Sequence, residues 1–161
     1  MRVLLARPFR AGFTLVELVI VIVVLGIVSV YAAMKSVSPA EATLPSQAQK
    51  LASDIRHIQT LAYTWGKRLR ISITTGANGS YSVSCVTSGA SPCNTSPVID
   101  PATGNSFSVA LQKNVVLGGT ATLDFNSLGQ PVAAASYTTA SGGSTKTISV
   151  AALTGYVTVT P

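Results

Sequence analysis

Glu17 is the side chain whose position demands a chemical explanation. It sits near the start of an apolar run that continues to Met34 and is interrupted by almost nothing polar. A carboxylate in such a run is costly to bury, so it is read as functional, with a cationic partner to be named. A new amino terminus would supply that partner. Were the chain cut between Gly12 and Phe13, the α-amine of Phe13 in one copy would pair with Glu17 of a neighbour packed alongside. The chemistry this implies is a cleavage performed on the chain and an ion pair made by it.

The remaining reactive groups do not assemble into a catalytic pattern. There is one histidine, His57, and the other acids are scattered as Glu41, Asp54, Asp100 and Asp124, so no spacing suggests a Ser-His-Asp arrangement and no enzyme is expected. His57 reads as a surface or packing residue. Cys85 and Cys93 close a short loop containing Gly89 and Pro92, which in an oxidising compartment is most simply a disulfide. A metal centre would need further soft ligands, and His57 lies in another segment, so neither metal nor cofactor is expected. Beyond the basic leader, Lys67, Arg68 and Arg70 form a basic cluster, with Arg68 and Arg70 on a shared strand face where they could neutralise phosphates. The alternative is that all three solvate a helix end and a strand face. The tail Thr154–Pro161 adds no basic residue.

These groups must be positioned by a helix and then a sheet. Leu18–Met34 is a stretch of 17 uncharged residues, roughly 25 Å of helix and just enough to span a bilayer. A Sec signal would share the basic start, but its apolar core is usually about 7–15 residues and would not carry Glu17. A plain anchor explains the length, not Gly12-Phe13 or Glu17. Pro39 and Pro45 interrupt the helix that would otherwise follow, each removing a backbone donor, and a kink or loosened turn is expected there. Leu44, Ala48, Leu51, Ala52, Ile55, Ile58, Ala62 and Trp65 then recur at spacings of three and four, an amphipathic helix laid on a sheet. Gln47, Lys50, Asp54, Arg56 and Gln59 are left mostly to solvent, and Tyr63 and Trp65 seal the helix–sheet junction. Gly66 ends the helix.

Beyond Gly66 the period becomes two. Leu69–Thr74 and Tyr81–Val86 alternate around the turn Gly76–Gly79, which predicts a hairpin. A Pro- and Gly-rich loop from Thr87 to about Ser106 follows. Further strands are predicted at Phe107–Leu111, Val115–Leu117, Thr120–Phe125, Val132–Ala134, Thr145–Val150 and Tyr156–Thr160, with Ala140–Ser144 a flexible connection. The fold class is α+β: a long N-terminal transmembrane and amphipathic helix packed on an antiparallel, two-sheet β domain. At 161 residues there is room for one compact domain beyond the helix. The segments are 1–12 as leader, 13–34 as transmembrane and assembly helix, 35–66 as the periplasmic continuation with proline breaks, and 67–161 as the β domain.

The formal charge of +6 overstates the basicity of a processed chain. Without Arg2, Arg7 and Arg10, 8 basic side chains face 5 acidic ones, a balance that does not argue for nucleic-acid binding. The same arginines place the leader on the cytoplasmic side, and everything after Met34 in the periplasm or beyond.

The run Gly12-Phe13-Thr14-Leu15 with Glu17 and the apolar stretch resembles the class III signal of type IV pilins and pseudopilins. That resemblance implies cleavage after Gly12 by a prepilin peptidase, N-methylation of Phe13, and an assembly role for Glu17. Leu123–Pro131, in which the strand end at Phe125 leads to a turn at Gly129, resembles the FimT/GspH-like pilin domain and the related MSHA minor pilins, as does a final strand beginning at Gly155. The resemblance implies a minor pilin or pseudopilin of a type IV pilus or type II secretion pseudopilus, acting in initiation or at the tip. Its implied partners are other pilins, the peptidase and an inner-membrane assembly platform. It also implies single-pass insertion in the inner membrane before fibre entry. DNA capture through Lys67, Arg68 and Arg70 is the second reading, although FimT-like receptors carry a C-terminal arginine motif that is absent here. A membrane-anchored adhesion module using the Cys85–Cys93 loop is the third.

Overall fold

The computed structural model describes residues 14–34, 39–112 and 114–161. The chain divides into two units, Met1–Val37 and Ser38–Pro161. In the first, helix α1 spans Leu15–Met34. Thr14 caps it: its Oγ1 accepts the N–H of Glu17 at 3.2 Å, and its carbonyl accepts the N–H of Leu18. Thr14 and Glu17 thus occupy the first and fourth places of a capping box, and a carboxylate there also suits the positive end of the helix dipole. Among the described residues no helix is long and apolar enough to cross a membrane.

The second unit is an α+β sandwich. Helix α2, Pro39–Trp65, begins at a proline, where the missing N–H costs nothing, and continues through Pro45. The expected break at Pro45 is therefore not an end of the helix. Pro45 removes a single bond to the Glu41 carbonyl, and the buried neighbours Leu44 and Ala48 hold the turn in place. Leu44, Ala48, Leu51, Ala52, Ile55, Ile58, Leu61 and Ala62 form the buried stripe. At the far end Gly66 takes φ +62°, the left-handed conformation that glycine tolerates. The N–H of Lys67 then reaches back to the Ala62 carbonyl and closes the cap.

Among the described residues nine strands follow: β1 Leu69–Thr74, β2 Gly76–Ala77, β3 Ser80–Cys85, β4 Ser108–Ala110, β5 Val116–Gly119, β6 Thr122–Phe125, β7 Ala135–Ser141, β8 Ser144–Val150 and β9 Val157–Thr160. They form a four-stranded sheet ordered β4-β3-β1-β6 and a five-stranded sheet ordered β2-β5-β7-β8-β9, with antiparallel pairing throughout. β2 is the turn of the predicted hairpin, and its pairing with β5 ties the first sheet's hairpin to the second sheet. Tyr81, Tyr137, Phe125, Leu69, Ile71, Leu117 and Ile148 meet the α2 stripe in one buried core.

Two expectations fail here. The strand predicted at Val132–Ala134 lies three residues later, as the seven-residue β7 in the middle of its sheet. Its inward positions are Ala135, Tyr137, Thr139 and Ser141, so only one large apolar residue marks it, and the period-2 signal is lost. The flexible connection expected at Ala140–Ser144 is a tight hairpin, with Ser141 paired to Ser144 across Gly142-Gly143. Both glycines have positive φ, as a two-residue hairpin turn requires.

Candidate functional site

Three places carry the groups singled out above. On α1 every described side chain from Leu15 to Val30 is exposed. Glu17 is among them, and its carboxylate meets no partner among the described residues. Gly12 and Phe13, the cleavage and methylation positions, lie outside the described residues, as do the leader arginines. The Thr14 cap is the signal in Thr14-Leu15-Val16-Glu17 that sequence reasoning missed: the Thr14 hydroxyl accepts the backbone N–H of Glu17 and fixes where the helix starts, while, among the described residues, the Glu17 carboxylate takes no part in it.

The second place is the basic cluster at the end of α2. Strand register sets Arg70 opposite Asp124 across β1 and β6. The Arg70 guanidinium grips that carboxylate with both arms, Nε to Oδ1 at 2.6 Å and Nη2 to Oδ2 at 2.8 Å. The bidentate bond from Arg70 holds the Asp124 carboxyl below its usual range, against the opposing effect of partial burial, and in turn raises the guanidinium. Arg70 is therefore not a free phosphate donor. Arg68 lies 3.8 Å from the same carboxylate, beyond hydrogen-bond reach, and Lys67 makes no ion pair among the described residues. Cys85 and Cys93 are joined, their Cα atoms 5.5 Å apart, which folds the loop between them beside Lys67 and Arg68.

The third place is a groove of about 530 Å³ between α2, β4 and the loop before β4. His57 Nε2 meets Asp100 Oδ1 at 2.9 Å, and the His57 ring lies against Phe107. Burial alone would raise the Asp100 carboxyl. The bond to His57, with those donated by the Ala102 N–H and the Thr103 hydroxyl, outweighs it and lowers the value. One turn earlier on the same helix face, Asp54 accepts hydrogen bonds from the Tyr81 hydroxyl and from Lys50 Nζ. Burial, reinforced by the Asp54 carboxylate, pushes the Tyr81 phenol strongly upward.

These contacts correct several exposures. Gln47 is buried, and Asp54 is largely covered. Gln59 is half-buried, its side-chain amide donating to the Gly155 carbonyl. Trp65 packs partly against the core, whereas Tyr63 is 68% exposed and seals nothing. Phe125 is fully buried and Gly129 has φ +74°, as the strand-end and turn motif requires. A side chain at Gly129 would also meet the Gln59 carbonyl at 2.5 Å, so this turn is fitted to the surface of α2. Among the described residues no three His, Cys, Asp or Glu side chains come together as a metal-holding group.

Comparison with known proteins gives two findings. The family model of the prokaryotic N-terminal methylation motif matches residues 7–33. The fold matches crystal structures of the Pseudomonas aeruginosa type IV minor pilin FimU in two crystal forms. One is matched with a TM-score of 0.54 at 14% identity over 75% of this chain and 90% of that one, the other with the same score at 13% identity over 73% and 93%. No curated protein sequence matches the chain.

Proposed function

We propose that this chain, a pilin-like protein with an N-terminal methylation motif and the fold of a type IV minor pilin, is a minor pilin or pseudopilin subunit. In this reading a prepilin peptidase cuts between Gly12 and Phe13, Phe13 is N-methylated, and the apolar segment holds the subunit in the inner membrane. An assembly platform then extracts it into a type IV pilus or a type II secretion pseudopilus, where it acts in initiation or at the tip alongside other pilins. The observation that carries the reading is the motif match over residues 7–33, which spans the cut site, Glu17 and most of α1.

The mechanism follows from the chemistry of α1. Its exposed surface from Leu15 to Val30 is almost wholly apolar, so helices packed side by side have little to fix their axial register. One carboxylate near the helix start changes that. A neighbour's N-terminal amine placed opposite Glu17 removes the cost of an unpaired buried charge, and a shift of one turn restores the cost. Glu17→Ala leaves cleavage intact and lowers incorporation into fibres at least tenfold, measured by immunoblot of sheared fibres against total membranes. Incorporation equal to wild type would remove the charge-pair mechanism.

A further inference from the structure

We propose that Lys67, Arg68 and the disulfide-closed loop form a pocket for a single tetrahedral oxyanion, a phosphate or sulfate group. The cavity is lined by Gly66, Lys67, Arg68, Thr87, Ser88, Gly89, Ala90 and Cys93, and its volume is about 190 Å³. That is several times the share of one water, about 30 Å³, yet below the 300–1,000 Å³ or so of sites that enclose a whole drug-sized ligand. The size suits one charged group, free or at the edge of a larger molecule.

The lining chemistry has one sign. Among the described residues it holds two permanent cations and two hydroxyls, and no carboxylate. The nearest acid, Asp124, is already engaged by both arms of Arg70, which leaves the Arg68 guanidinium without a hydrogen bond to it at 3.8 Å. Lys67 Nζ and the hydroxyls of Thr87 and Ser88 likewise make no hydrogen bond among the described residues. Arg70 thus takes the hydrogen bonds of Asp124, while Arg68 keeps only a longer ion pair with that carboxylate at 3.8 Å, so the N–H groups of Arg68 and the Lys67 ammonium can still turn to an anion.

Three local features build the cavity. The left-handed Gly66 turns the chain sharply out of α2, so that Lys67 and Arg68 stand between the helix end at Trp65 and the start of β1 at Leu69. The N–H of Val86 donates to the Arg68 carbonyl, which fastens the start of the loop to the same strand entrance. The Cys85–Cys93 bond, with Gly89 N–H to the Cys93 carbonyl and Cys93 N–H to the Ala90 carbonyl, folds the Thr87–Ala90 segment over them. The disulfide therefore shapes a binding surface as well as restraining a loop. This inference does not depend on how the N-terminal segment is processed.

The test uses the full chain in a nonionic detergent, labelled with ¹⁵N and titrated with inorganic phosphate at an ionic strength held constant with chloride. The expected result is saturable shifts confined to the amides of Lys67, Arg68 and residues 87–90, reproduced by sulfate. In the Lys67→Gln/Arg68→Gln variant affinity falls at least tenfold while the rest of the spectrum is unchanged. Shifts that rise without saturating, spread over the surface, or persist in the double variant overturn the pocket. A short labelled DNA duplex separates the sources. A duplex bound through these amides and displaced by phosphate identifies a phosphodiester, and saturation by phosphate with no duplex at these amides identifies the free ion; either supports the pocket.

Discussion

Replacing Asp54 by alanine should destabilise the Ser38–Pro161 unit by about 2 kcal/mol, and most of that cost should disappear when Tyr81 is phenylalanine. Tyr81 is 1% exposed, and its hydroxyl has the Asp54 carboxylate as acceptor. Truncating Asp54 strands that hydroxyl in the core, at roughly 1–3 kcal/mol for an unsatisfied buried donor. It also removes the pair with Lys50, whose side chain is half exposed, so that loss adds only about 0.3–0.5 kcal/mol. Tyr81→Phe removes the donor itself and leaves Asp54 with Lys50 and solvent. The double-mutant cycle should therefore give a coupling of about 1–2 kcal/mol. For a unit of about 120 residues, 2 kcal/mol corresponds to a Tm lower by roughly 6–12 °C. The assay is urea unfolding followed by the fluorescence of Trp65, the chain's one tryptophan, which packs partly against the core. Midpoints should move while m values stay constant. A coupling below about 0.3 kcal/mol would refute the reasoning, because the Tyr81 hydroxyl would then have another acceptor or water.

Further outcomes follow from the same contacts. Asp124 has a folded pKa below its unfolded value, so its contribution is complete above about pH 4 and is lost as the pH falls through the folded value. Asp124→Asn should flatten this acid limb of the stability curve and leave the slope near pH 7 unchanged; an unaltered acid limb in urea titrations would contradict the Arg70 clamp. Tyr137 is buried and its hydroxyl has no hydrogen-bond partner among the described residues, so Tyr137→Phe should be neutral or stabilising by up to about 1 kcal/mol. A loss of more than about 1 kcal/mol in the same unfolding assay would mean that a bound water satisfies that hydroxyl.

The helix stripe on α2 was legible because one repeating period runs from Leu44 to Ala62, and every position in it is buried. Gly66 and Gly129 were legible because a helix end and a turn each need a conformation that other residues resist. Less visible were contacts set by register between distant segments. Arg70 and Asp124 are 54 residues apart, and nothing local in either segment marks them as partners before β1 and β6 pair. The same is true of Tyr81 with Asp54, which turns a helix position expected to face solvent into a largely covered acceptor. β7 was misplaced because a central strand bearing Thr139 and Ser141 on its inner face does not look like a core strand. At the N-terminal segment the residue types were unambiguous, yet the capping relation of Thr14 to Glu17 emerged only from the helix start itself.

The measurement that tests the central claim most directly is the intact mass and N-terminal sequence of the protein recovered from native membranes, with and without the host's prepilin peptidase. The account predicts a chain that starts at Phe13 and carries one added methyl group, with both features lost when the peptidase is absent. A chain that still begins at Met1, or one cut near Met34, would contradict it, and the fibre mechanism built on Glu17 would fall with it.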